Sequence, residues 1–169
     1  FPQFFVSATA VALIAGCAAY SNGPRATATL DTTRGNTASG TVTFVQAGDV
    51  VKVSGSVKGL KPGAEHGFHV HEKGDCSAVD ASSAGPHFNP FTSVHGRANA
   101  GDHHSGDMDN VVSNAEGVVQ LNTHLSGVTL GGAAVHDTAG RAQAAHATAD
   151  DYTTQPAGHA GARVACGVL

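Results

Sequence analysis

The 169-residue sequence has no tryptophan, aromatic residues make up only 5% of it, and charged residues only 13%. It lacks a basic excess: 9 Lys and Arg stand against 13 Asp and Glu, for a formal net charge of −4. A polyanion-binding surface is therefore not expected, because nucleic-acid binders show a basic face. No apolar run reaches the roughly 20 residues that a spanning helix needs, so a multi-span membrane protein is excluded. No stretch carries sustained helical periodicity with caps. What the chain does have is 41% hydrophobic residues, enough for one core and against wholesale disorder. It also has 22 Gly and 11 His. Abundant glycine suits a loop-rich β protein, and abundant histidine points to metal.

The first 24 residues carry no charged side chain. Val6 to Ala19 is apolar, rich in small residues and shorter than a span, as in a secretory signal. The initiator Met and basic leading region of such a signal do not precede it, so the export segment is expected to be truncated at its start. Ile14-Ala15-Gly16-Cys17 resembles a bacterial lipoprotein box, in which Cys17 would take a lipid anchor to the membrane. Ordinary cleavage near Ala19 is the other reading. Both give an export segment over 1–24, one domain over 25–169 and a mature protein outside the cytoplasm, in the periplasm. Cys76 and Cys166 then remain as an even pair, which in an exported protein reads as a disulfide.

Val- and Thr-rich segments recur between Gly, Asn and Asp clusters. They are Arg25 to Leu30, Thr41 to Val45, Val50 to Val57, Gly67 to His71, Val111-Val112, Val118 to Leu121, Arg141 to Ala145 and Arg163 to Val168. Gln46 to Asp49 reads as a hairpin turn and Ser113 to Gly117 as another turn. About eight short strands predict an all-β fold, an antiparallel sandwich or flattened barrel. Two long interruptions, Glu72 to Asp109 and Ala147 to Ala162, read as functional loops.

His69-Val70-His71 lies on a predicted strand, so both imidazoles share one face while Phe68 and Val70 point to the core. The following loop holds His87, His95, His104 and Asp107, at gaps of 8, 9 and 3 residues. Three imidazoles and a carboxylate suit a tetrahedral zinc ion, and an ion could order a loop with no core of its own.

Three segments extend the pattern: Gly67-Phe68-His69-Val70-His71-Glu72, Gly85-Pro86-His87-Phe88-Asn89-Pro90 and Ala160 to Val168. Together they resemble copper/zinc superoxide dismutase over roughly Ala26 to Leu169. Gly74-Asp75-Cys76 and Ala149 to Gly158 look like the exported bacterial branch. The resemblance implies a Greek-key sandwich with one copper and one zinc per subunit, superoxide as substrate, and no nucleic-acid partner. Both monomers and homodimers occur in that branch. The implied copper ligands are His69, His71, His87 and His146. His146 is preferred over His136 because Ala149-Asp150-Asp151 follows it at the family spacing. The implied zinc ligands are His87, His95, His104 and Asp107, with His104 preferred over His103 by the His-x-x-Asp spacing. His87 would bridge both metals and store a proton during dismutation of superoxide to dioxygen and hydrogen peroxide. Asp150 would link His69 to His95, and Arg163 would attract and orient the anion.

His66 reads as a structural hydrogen-bonding residue, and His124, His136 and His159 as surface residues. Loop Ala147 to Ala162 has no lysine, so long-range attraction is expected from Lys58, Lys61, Lys73 or Arg97, if it is strong at all. The gap between His71 and His87 is one residue longer than in the eukaryotic pattern. A non-enzymatic periplasmic copper- and zinc-binding protein on the same fold is the competing reading.

Overall fold

The computed structural model describes residues 23–169. The expected export segment, Cys17 included, lies outside them except for its last two positions. Nine strands form: β1 (Arg25–Thr32), β2 (Ser39–Ala47), β3 (Val50–Lys58), β4 (Glu65–His66), β5 (Phe68–His71), β6 (Val111–Val112), β7 (Val119–Ser126), β8 (Ala142–His146) and β9 (Arg163–Val168). One 3₁₀ turn, Ser82–Ala84, is the only helical element among the described residues. No helix among them is long and apolar enough to cross a membrane.

Seven strands make one curled antiparallel sheet in the order β5-β8-β9-β1-β2-β3-β7, a half-barrel. The order β9-β1-β2-β3 is a Greek-key return, with the last strand lying beside the first. β1 turns the corner. Arg25 to Leu30 pair with β2, whereas Asp31 and Thr32 pair with β9. Glu65–His66 and Val111–Val112 form a separate two-stranded ribbon. β4 runs into β5 through Gly67, and β6 into β7 through the turn at 113–117, so the ribbon joins the sheet's two edge strands.

The strands follow the period-2 pattern of a half-buried sheet. Val42 and Phe44 of β2, Val51, Val53 and Val57 of β3, and Val119, Leu121 and Leu125 of β7 all point inward. With Leu30, Phe68, Val70 and Phe88 they form the main core. Each fully buried aliphatic or Phe side chain contributes about 1.5–3 kcal/mol. The β2–β3 hairpin closes on Gly48-Asp49, where Gly48 takes the positive φ (62°) such a tight turn needs. The turn at 113–117 is organised by Asn114, whose Oδ1 accepts from the N–H groups of Glu116 and Val118. It leads from one sheet to the other, because β6 pairs with β4 and not with β7.

The loop over 72–109 is stitched to the outer edge of β5. The N–H of Val70 donates to the carbonyl of Gly106, and those of Phe88 and Glu72 to the carbonyls of Val70 and Pro86. Gly106 sits so close that a Cβ there would run into the Val70 carbonyl oxygen. A disulfide between Cys76 and Cys166 (Cα–Cα 5.8 Å) ties the same loop to β9.

Candidate metal centre

His69 and His71 leave β5 on the face opposite Phe68 and Val70, as strand alternation requires. His146 ends β8, and the β5–β8 pairing brings the two strands together. His87 comes from the loop segment bound to β5, where it bridges to His71. His69, His71, His87 and His146 form one buried quartet, and His87, His95, His104 and Asp107 another. Within each quartet one ligand atom per residue lies within 4.8 Å of all the others, and His87 belongs to both.

The hydrogen bonds fix which atoms face inward. His71 Nδ1 donates to the Gly85 carbonyl (2.9 Å) and His146 Nδ1 to the Gly161 carbonyl (3.2 Å). Their Nε2 atoms therefore carry lone pairs, and these face each other at 3.3 Å. Two lone pairs in that position repel unless a cation lies near both. His69 Nε2 donates to Asp150 (2.7 Å), leaving its Nδ1 bare. The buried ring nitrogens without a hydrogen-bond partner are His69 Nδ1, His87 Nε2, His95 Nδ1 and His104 Nδ1. Orphaned buried acceptors are costly, and here they converge. Such a donor set fits metal: imidazole suits copper and zinc, and a carboxylate completes a zinc set.

Two carboxylates organise the rings. Asp107 Oδ1 lies 2.8 Å from His87 Nδ1, and its Oδ2 lies 3.0 Å from His95 Nδ1 and accepts from the N–H groups of His104 and Gly96. Burial opposes ionisation of Asp107, but His104, His87 and His95 hold it well below the usual carboxylate range. Asp150 joins the two quartets: Oδ2 accepts from His69 and Oδ1 from His95 (2.9 Å). It is shifted the same way, with burial opposed by its two histidine bonds. Burial pushes His87 down to about 4, against the pull of Asp107. Burial, helped by the charge of Arg163, also lowers His71. His146 is lowered by burial and by His69. His95 moves the other way, because the carboxylates of Asp107 and Asp150 beside its ring outweigh burial and raise it to about 9.

Arg163 begins β9, and its Nη1 donates to the Ala81 carbonyl (2.5 Å) and its Nη2 to that of Gly85. The Gly85 oxygen thus serves both Arg163 and His71. Arg163, His71, His87 and His146 line an open cleft of about 840 Å³, whose far wall is the 154–161 stretch of the second long loop.

Several supporting residues were not singled out from the sequence. The side-chain amide of Asn110 pairs with the backbone of Asp150 in both directions, each bond 2.9 Å. Gln155 does the same for the backbone of His95 (2.8 and 2.9 Å). Both lie in loops, and only their contacts reveal them. Gln143 is fully buried in β8 and donates to the His69 carbonyl; a carboxamide inside Ala142–Ala145 was a visible signal.

The remaining histidines are placed as follows. His66 is buried, its Nδ1 against the His146 carbonyl (2.9 Å), in the structural role expected. His103 joins neither quartet and bonds the His104 carbonyl. His124 and His159 are exposed. His136, expected at the surface, is half-buried and lies against the Phe91 ring (centroids 5.9 Å). None of Lys58, Lys61, Lys73 and Arg97 lines the cleft. Arg97 is paired with Asp109 (3.2 Å) and lies over the Tyr152 ring.

Comparison with known proteins agrees with this geometry. A family model described as copper/zinc superoxide dismutase (SODC) matches residues 38–169. The superoxide dismutase [Cu-Zn] of Caulobacter vibrioides is 43% identical over 135 residues, 77% of each chain. Superoxide dismutase [Cu-Zn] 2 of Aquifex aeolicus is 36% identical over 155 residues, 90% of each. The extracellular superoxide dismutase [Cu-Zn] of Haemonchus contortus is 41% identical over 136 residues, covering 77% of this chain and 72% of the relative. The crystal structure of the clock protein EA4 superposes with a TM-score of 0.77 at 40% identity, over 88% of this chain and 95% of that one. With a curled β-sheet, two histidine clusters resembling copper and zinc sites and relatives of this kind, the chain belongs to the copper/zinc superoxide dismutase family.

Proposed function

We propose that the chain dismutes superoxide to dioxygen and hydrogen peroxide at a centre in which His69, His71, His87 and His146 hold copper and His87, His95, His104 and Asp107 hold zinc. The observation that carries the assignment is the set of bare, buried ring nitrogens. Bound copper supplies a one-electron couple, which zinc lacks. The residues supply the rest. Arg163, held by two carbonyls, receives the anion at the cleft floor. Between the two half-reactions His87 Nε2, the bare atom facing the first quartet, takes a proton from solvent in place of the metal and yields it to the departing peroxide, whose second proton comes from solvent. Asp150 fixes the ring planes of His69 and His95 together, so the two sites keep one geometry.

The test is superoxide consumption by the copper- and zinc-loaded protein beside the zinc-only protein. A fast, copper-dependent rate is expected, and His87→Ala with full metal content should lose about a hundredfold, the scale of positioned proton transfer. Equal rates with and without copper would favour metal binding without turnover.

We place the protein outside the cytoplasm, protecting the periplasm or cell surface from superoxide, with Cys17 as the proposed point of lipid attachment. The Cys76–Cys166 disulfide supports export, as does the relative named extracellular. Mass spectrometry of the mature protein from a bacterial host should find a diacylglycerol adduct on Cys17. An unmodified chain starting near Ala19 would remove the anchor.

A further inference from the structure

The charged side chains lining the cleft are Glu72, Arg141 and Arg163. The wall contributed by the second long loop, residues 154–161, brings only His159 as a titratable group. Within the cleft, attraction of an anion therefore falls to Arg141 and Arg163, against the charge of Glu72. There Arg141 is half-buried and held from three sides. Its guanidinium lies over the Phe88 ring, 4.2 Å from the centroid. Nη1 donates to the Glu72 carbonyl (2.7 Å) and Nε to the Asp137 carbonyl (3.2 Å). All three partners are neutral, and Arg141 makes no ion pair among the described residues. The nearby Asp137 carboxylate is taken up by the N–H groups of Gly131 and Ala139 and the hydroxyl of Thr129. Arg163 is held in the same manner, by carbonyls without a carboxylate. A guanidinium fixed by neutral groups keeps its charge available to a visitor and loses little freedom on receiving it.

We infer that Arg141 is a second anion-receiving residue of the cleft, drawing small inorganic anions from solvent toward Arg163 and the metal centre. The inference rests on the proposed reaction for its biological meaning and on cleft geometry for its chemistry. A unit charge acting through about 10 Å of water changes the local concentration of a monovalent anion about twofold. The effect fades as the screening length falls from about 30 Å at 0.01 M salt to about 8 Å at 0.15 M.

The test compares metal-loaded parent, Arg141→Gln and Arg141→Lys, each with copper and zinc content verified. Azide titrated against the copper visible absorption should bind about twofold more weakly to Arg141→Gln at low salt and with near-parent affinity to Arg141→Lys. Superoxide consumption should fall about twofold in Arg141→Gln at 10 mM salt, with the gap closing by 150 mM. Unchanged azide affinity and rate in Arg141→Gln would overturn the inference. If that variant does not take up metal, the parent decides: azide affinity independent of salt from 10 to 150 mM would overturn it equally. A parent that consumes no superoxide defeats the proposed reaction alone, because azide still reports on Arg141.

Discussion

Gln143 sits where its neighbours Ala142, Ala144 and Ala145 are all fully buried, and its Oε1 has no partner. Nε2 donates to the carbonyls of His69 and Ala144, so turning the amide over would set oxygen against oxygen. A buried acceptor without a donor costs about 1–3 kcal/mol. Gln143→Leu, of similar volume, should therefore stabilise the protein by about 1 kcal/mol, raising Tm by about 2–4 °C. A lower Tm by calorimetry would show that the bond to His69 outweighs the orphaned oxygen. The histidines set a pH response in the metal-free chain. In the unfolded chain they titrate near 6.5, whereas burial holds His87 at about 4 and lowers His71 and His146 as well. Between these values the unfolded state binds protons that the folded state refuses, so stability falls as pH falls from about 6.5 toward 4. His95, raised to about 9, contributes fully below 6.5 and loses its contribution only as pH rises through 9. The urea midpoint of metal-free protein should thus drop on acidification from pH 6.5 to 4.5. A flat midpoint over that range would refute the assignment of neutral buried rings.

At the scale of elements, the strands were legible because Val and Thr alternate with polar residues between turn formers, and all eight expected segments form strands. Glu65–His66 was not legible, since two residues carry no period. The pairing of Val111–Val112 was invisible for the same reason: its partner is the strand too short to read. The grouping of the two quartets was legible because their histidines and Asp107 repeat a known spacing. Asn110, Gln155 and Arg141 were not, because each acts through a backbone carbonyl or amide, or a ring, that only the folded chain brings near. The long loop over 72–109 has one covalent anchor, closing a separation of 90 residues. Cross-linking at that separation removes about 4–5 kcal/mol of unfolded-state entropy in the chain-entropy model. The Cys76→Ser, Cys166→Ser double variant should lose most of that in urea unfolding. Its superoxide rate should also fall, because the Ala81 and Gly85 carbonyls that hold Arg163 belong to the loop the bond restrains. Unchanged stability would mean that hydrogen bonds to β5 alone fasten the loop.

For the whole molecule, metal and fold are one equilibrium. Seven buried side chains that could hold metal meet at two points, and without cations their lone pairs and carboxylate are left facing one another. Binding to the folded state alone stabilises by mass action, about 4 kcal/mol at a thousandfold excess over Kd. Removing both metals with a chelator should lower Tm by about 10 °C or more. Restoring zinc should recover part of the loss, since His95, His104 and Asp107 all come from the long loop. Identical Tm with and without metal would mean that the quartets are preformed at no cost.

The stitching of that loop to β5 has one more consequence. β5 is the last strand of the sheet, and the peptides of Gly106, Phe88 and Pro86 occupy hydrogen-bonding positions on its outer side. An uncovered strand edge is a template for another chain. The segment that carries His95, His104 and Asp107 is therefore also a guard against self-assembly, because it covers the strand edge that a second copy would otherwise pair with.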